Sequence, residues 1–316
     1  PKHLASMMSL GAVFNELGDT GKTIDYYQRA LALEPNNEIS LYNLGVALFS
    51  SKQFKKAAEI FKTIKYKESK SFLLNCYYRL DDKSNFFEVL DDLIKQEETN
   101  AIIGSLTSRS EIKYGVKKSN LFCNDPLKYV LKINLTEKYD FKEIFVKPIK
   151  NALEKGTFSL RQQDLLTNGH QTAGNLLDEK SDFLDKIKDT INLEVDKYYN
   201  HFKKSNEGII KRWPKTYKIN AWLVSMKNGG KLAPHMHDFG WLSGSIYINV
   251  PPKLETDSGN LVVCIDDQIS EDKNQKNVMD VVTGSLCLFP SCLYHYTIPF
   301  ESKEDRIVLA FDVMPN

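Results

Sequence analysis

Apolar residues recur at helical spacing in the first third of the chain and at strand spacing in the last third. Leu10 and Phe14, then Tyr27, Ala30 and Leu31, mark amphipathic helices. Residues Tyr129 to Leu135 read as a strand. Residues 140–155 and 178–204 read as helices. The second carries Phe183, Leu184, Ile187, Ile191, Leu193, Val195 and Tyr198 as a broad apolar face. From Tyr217 the pattern predicts strands at 217–227, 231–237, 243–250, 260–265, 285–289, 293–299 and 306–313. Turn signals separate them: Asn228-Gly229-Gly230, Pro251-Pro252, Asp257-Ser258-Gly259 and Thr283-Gly284. Short strands at this spacing predict a sandwich or barrel. The polar stretch 266–280 reads as a long loop, either a lid or a disordered segment.

The helical part repeats itself. Leu10, Gly11 and Tyr27 return as Leu44, Gly45 and Phe61, each 34 residues on. Phe14 matches Leu48, Ala30 matches Ile64, and Pro35 closes the first unit. Gly11 and Gly45 suit close contact between the helices of a hairpin. This period and pattern resemble the tetratricopeptide repeat. A degenerate third unit, 71–94, aligns with a shift of 32, pairing Ala57 with Val89 and Phe61 with Leu93. Stacked repeats need about three units to bury a shared core. The expected organisation is therefore repeats over 1–97, a helical linker over 98–125 and a second domain over 126–316. The repeats fit either a scaffold or a groove that binds a peptide or protein partner.

Composition removes several classes of function. Among 316 residues, 42 basic and 41 acidic side chains give a net charge of +1, too little to draw the chain onto nucleic acid. No run approaches the roughly 20 apolar residues of a spanning helix, so no membrane partner is expected. No charged-then-apolar leader precedes the first helix, so no signal peptide is expected; the chain starts on Pro1, which fits a fragment of a longer protein. Five scattered cysteines without a CxxC pair read as reduced thiols in a cytoplasmic protein.

The scarce residues carry the chemistry. Three of six histidines, His235, His237 and His295, lie in the last third. On a strand His235 and His237 face the same way, and imidazole is a common ligand for iron, zinc, copper and nickel. His295 follows the strand–turn–strand segment Gly284 to Tyr294 and comes beside the first pair if the barrel closes. Arg306, one of six arginines, heads the last strand on the face of Val308 and Ala310, opposite Ile307, Leu309, Phe311 and Val313. Pointing inward, its planar fork suits a carboxylate; pointing outward, it would pair with Glu304 or Asp305. Ser243, Ser245, Tyr247 and Asn249 share a polar face, assigned to the cavity, with Gly244, Ile246, Ile248 and Val250 toward packed helices.

Together these residues resemble the iron(II)- and 2-oxoglutarate-dependent oxygenases, over about 120–316. The likeness is nearest to a bacterial and phage-associated group. Its segments read here as Pro234-His235-Met236-His237, Ser243-Gly244-Ser245-Ile246-Tyr247 and Phe289-Pro290-Ser291 to His295. Gln171-Thr172-Ala173-Gly174-Asn175-Leu176 matches the group's upstream segment, read as shaping the site entrance or as a helix-capping turn. The resemblance implies a double-stranded β-helix (a cupin-like jelly roll) with supporting helices. With the repeats, an α-solenoid of helical hairpins, the chain is then an α + β multidomain protein. It implies Fe(II), 2-oxoglutarate and dioxygen as cofactors. It implies His235 and His295 as iron ligands and Arg306, with Tyr247 and Ser245, as the anchor of the distal carboxylate of 2-oxoglutarate.

Two positions depart from that pattern. The usual triad is His-x-Asp/Glu…His. Here its second member is His237, and Asp238, one residue on, is the alternative if the strand bulges. Val308 stands where many relatives have a serine. The resulting expectation is a dioxygenase that hydroxylates a peptide, protein or small molecule, with the repeats recruiting a partner or substrate. Two other readings stay open. One is a three-histidine cupin-type thiol dioxygenase, in which Arg306 has no purpose. The other is a tetratricopeptide adaptor without turnover.

Overall fold

The repeats form helical hairpins because each glycine sits where a second ring must pass. The computed structural model describes residues 3–66, 68–161, 163–267 and 275–316. Helices α1 (Leu4–Glu16) and α2 (Thr20–Leu33) form the first hairpin, α3 (Glu38–Ser50) and α4 (Phe54–Phe61) the second. A Cβ on Gly11 would lie 2.9 Å from the Tyr27 ring, and one on Gly45 2.7 Å from the Phe61 ring. The degenerate third unit is also a hairpin, α5 (Ser69–Arg79) and α6 (Lys83–Lys95). The turns inside the hairpins place Gly18, Lys52 and Asp81 at φ of 77°, 60° and 57°. Asp19 and Asp82 then cap the next helices, accepting from the backbone N–H of Lys22 and Asn85.

Helix α7 (Ala101–Tyr114) follows, capped by Asn100 and ended by Gly115 in the left-handed region. It packs against α5, so these residues belong to the helical unit. The chain divides between Ser119 and Asn120, inside the segment read as a connection.

The second unit, Asn120–Asn316, is an antiparallel jelly roll with helices. Its strands are β1 (Leu131–Asn134), β2 (Leu160–Arg161), β3 (Leu166–Thr172), β4 (Tyr217–Leu232) and β5 (Leu242–Asn249), then β6 (Leu261–Cys264), β7 (Lys276–Met279), β8 (Ser285–Pro290), β9 (Tyr294–Thr297) and β10 (Arg306–Pro315). One sheet has the order β1-β8-β5-β10-β4-β3-β2; the other is β7-β6-β9. Helices α8 (Lys147–Glu154) and α9 (Asp182–Phe202) fall within the expected helical segments. The stretch 142–146, just before α8, packs against β5.

Four expectations change in detail. Gly229 and Gly230 do not separate two strands; they form a bulge inside β4, with Gly229 at φ 69°. Only the extra residues show this, because a Gly-Gly pair signals turn and bulge alike. The strand expected over 231–237 ends at Leu232, and His235 keeps only an isolated bridge to His295. The segment 266–280 is not all loop: Lys276–Met279 pairs with β6, while 268–274 lies outside the described residues. The hairpin β2–β3 was not anticipated, since Thr167, Asn168, Gly169 and His170 break the apolar alternation. All five cysteines are buried and none forms a disulfide, and among the described residues no helix is long and apolar enough to cross a membrane.

Candidate metal centre

His235 and His295 meet across the gap between the two sheets. Each backbone N–H donates to the other residue's carbonyl, at 3.1 and 2.8 Å. The imidazole centroids stand 4.2 Å apart. His237 completes the group, with centroids 5.3 Å from His235 and 4.8 Å from His295. One nitrogen from each ring lies within 4.8 Å of the others. The three histidines therefore converge, although bridge and turn geometry rather than a regular strand brings them together. Asp238 is not in this group.

Hydrogen bonds orient two of the rings. His235 Nδ1 lies 2.9 Å from the Ala233 carbonyl, an acceptor, so Nδ1 carries the proton and Nε2 keeps its lone pair. His237 Nδ1 lies 2.6 Å from Asp312 Oδ1 and 3.1 Å from Ser243 Oγ, with the same consequence. His295 Nδ1 is buried without a hydrogen-bond partner among the described residues. Burial, with the neighbouring His237, pushes His235 down to about 4, and burial with both neighbours holds His295 well below the usual histidine value. Both rings are thus neutral near pH 7, the form that binds a metal. Burial also opposes charge on His237, but Asp312 outweighs it and raises that ring.

A second orphaned group shares the interior. Arg306 is 2% exposed, its guanidinium 5.0 Å from the Tyr247 ring, and its Nε has no hydrogen-bond partner among the described residues. It is not paired with Glu304 or Asp305, so the outward alternative is excluded. Burial lowers its pKa while Tyr247 opposes that shift. Register places Val308 beside Tyr247 and Ala310 beside Ser245, with Cys287 across from Ser245. Ser243, Ser245 and Tyr247 are all buried on this face. Asn249 leaves it. A bulge between Ile307 and Val308 puts Ile248 out of register, and Asn249 instead accepts from Lys150 Nζ and donates to the Asp305 carbonyl.

Donor chemistry fits a metal. Three imidazoles converge, and among the described residues neither His295 Nδ1 nor the Nε of the buried Arg306 has a hydrogen-bond partner. Sequence reasoning missed Asp312, Ser291 and Gly240. Counting in twos from Arg306 along β10 puts Asp312 on the same face, but nothing in that count points to His237 or Ser243 as its partners.

The upstream segment has a plainer role. Where β3 leaves β4, Thr172 Oγ1 accepts from Leu223 N–H at 3.0 Å and Asn175 Oδ1 from Ala221 N–H at 2.8 Å. These side chains continue the ladder and dock the segment on β4. Asn175 also caps the short turn Leu176–Asp178.

Residues 220–312 match the family model described as "Putative 2OG-Fe(II) oxygenase", and residues 15–72 match the tetratricopeptide repeat. The Photosystem I assembly protein Ycf3 of Acaryochloris marina (strain MBIC 11017) is 40% identical over 55 residues, 17% of this chain and 33% of that protein. The chain thus spans about a third of that relative. Among solved structures, a Pseudomonas putida prolyl-4-hydroxylase is similar at TM-score 0.43 and 11% identity, covering 59% of this chain and 92% of that one. A Trichoplax adhaerens prolyl hydroxylase, in complex with a hypoxia inducible factor oxygen degradation domain peptide fragment, gives 0.44 and 14%, covering 66% and 88%. HygX from Streptomyces hygroscopicus, with nickel and 2-oxoglutarate bound, gives 0.42 and 11%, covering 59% and 83%. The two family matches fall on separate units, the repeat match on the helical one and the 2OG-Fe(II) oxygenase match on the jelly roll.

Proposed function

We propose that this chain is an Fe(II)- and 2-oxoglutarate-dependent dioxygenase that hydroxylates a peptide, protein or small molecule, with the repeats recruiting a partner or the substrate. His235, His237 and His295 hold the iron. Arg306, with Tyr247 and Ser245, holds the distal carboxylate of 2-oxoglutarate. The observation that carries this reading is Arg306, fully buried beside Tyr247 with an unpartnered Nε. Burying a guanidinium that no carboxylate of the described residues pairs costs several kcal/mol, and the distal carboxylate of 2-oxoglutarate would relieve that cost. The three-histidine thiol dioxygenase gives Arg306 no task.

Bound there, iron and 2-oxoglutarate supply oxidation by dioxygen, with decarboxylation of the co-substrate to succinate. The chain's own residues bind, orient and exclude water. Ala233 and Asp312 hold the Nδ1 protons of His235 and His237, which leaves Nε2 of each as the donor. Burial keeps His235 and His295 neutral. Phe289, whose ring stands 4.8 Å from His295, walls one side, and Trp222 stands 5.3 Å from His237 on another.

The test separates the two subsites. In Arg306→Ala, 2-oxoglutarate binding weakens while Fe(II) binding survives, both measured by anaerobic titration. Unchanged 2-oxoglutarate affinity in that variant would refute the anchor assignment.

A further inference from the structure

We propose that Asp312 is a positioning residue of this metal centre, holding the Nδ1–H of His237 and supplying through that imidazole the negative charge an aspartate ligand would bring. The inference rests on the reading that the three histidines hold iron. The usual facial triad contains one carboxylate among its ligands. This chain has His237 in that place, and three neutral imidazoles bring no charge. A carboxylate nevertheless stands directly behind the substituted ligand, 2.6 Å from His237 Nδ1. A carboxylate on the far nitrogen fixes the tautomer, aims the ring and makes the ligating nitrogen more basic.

The surroundings are built for this contact. Asp312 is 6% exposed, and β10 places it opposite Ser243 on β5. Ser243 Oγ donates to Asp312 Oδ1 at 2.7 Å. That uses the only hydroxyl proton of Ser243, so Ser291 donates to Ser243, at 2.8 Å. Gly240 makes the space: a Cβ there would lie 2.5 Å from Ser291 Oγ and 3.3 Å from the Asp312 carboxyl carbon. Among the described residues the hydrogen-bond partners of the Asp312 carboxylate are His237 and Ser243, with no lysine or arginine. Stability alone does not explain such a group, because buried ion pairs contribute little to it.

The test uses the full chain and Co(II), a spectroscopic substitute for Fe(II). Asp312→Asn keeps the volume and removes the charge. Its Co(II) affinity, measured on folded protein, should fall by about 10- to 100-fold. An independent measurement needs no variant. In histidine-labelled wild-type protein loaded with Zn(II), NMR should show a retained, far-downfield Nδ1 proton on His237. Wild-type protein that binds no Co(II) would refute the iron-site reading itself. Wild-type binding matched by Asp312→Asn would overturn only this inference. Should the variant fail to fold, the His237 proton decides: present supports the role of Asp312, absent overturns it.

Discussion

His235 and His295 exchange both backbone hydrogen bonds, at 3.1 and 2.8 Å, as one isolated bridge between segments 60 residues apart. The position of the two imidazoles is therefore set by the backbone, and each ring can be removed without disturbing the bridge. His295→Ala should lose both Fe(II) and 2-oxoglutarate binding in anaerobic titrations. Its metal-free form should unfold only a few degrees below wild type: the lost ring leaves a cavity, offset in part because His295 Nδ1 has no hydrogen-bond partner among the described residues. A large fall in that temperature would mean that the ring serves the fold instead.

Arg306 carries a predicted trade-off between stability and binding. Replacing a buried charge that has no carboxylate partner among the described residues with an apolar side chain of similar length removes a desolvation cost. Arg306→Met should raise the metal-free thermal midpoint by a few degrees, for about 1–2 kcal/mol, while abolishing 2-oxoglutarate protection against unfolding. Wild-type protein should gain that protection when Fe(II) and 2-oxoglutarate are both present. Scanning calorimetry with and without co-substrate reads both effects.

Gly45 tests the repeat packing apart from the metal centre. Gly45→Ala places a methyl 2.7 Å from the ring of Phe61, which is 1% exposed and cannot swing into solvent. The cost should be about 1–3 kcal/mol, seen as earlier denaturant unfolding of the helical unit. Co(II) binding by the second unit should stay unchanged.

The repeat register, the histidine group and Arg306 were legible in the sequence because each is a local signal. Gly11 and Gly45 mark the helix contacts they make, and three histidines and one arginine stand out in a lysine-rich chain. Asp312 was hidden for the opposite reason. Its role depends on β10 lying beside β5, a pairing of residues 69 apart. Asn249 was misplaced because one extra residue in β5 inverts the alternation, and no residue type announces that bulge. Gly229-Gly230 signalled an irregularity correctly but not which one.

Glu194 predicts the acid response of the second unit. Its side chain is 1% exposed and accepts from Tyr139 Oη and Lys197 Nζ, both at 2.7 Å. Burial raises its pKa, but those two donors outweigh it and hold the carboxyl below the ordinary glutamate value. A depressed folded-state pKa gives stability that is complete above the unfolded value of about 4.3 and is lost as pH falls through the folded value. Glu194→Gln should therefore be less stable at pH 7 by about 1–3 kcal/mol. The gap to wild type should close as the pH falls below about 4. Paired urea titrations at the two pH values measure it; a gap that stays constant would contradict the ionic role.

On the proposed function, iron and 2-oxoglutarate meet at His235, His237, His295 and Arg306. The most direct measurement is the visible spectrum of anaerobic Fe(II)-loaded protein during titration with 2-oxoglutarate. A weak metal-to-ligand charge-transfer band should grow to saturation in wild-type protein and should not form in His295→Ala. Saturating 2-oxoglutarate without any such band in wild-type protein would contradict the proposed function.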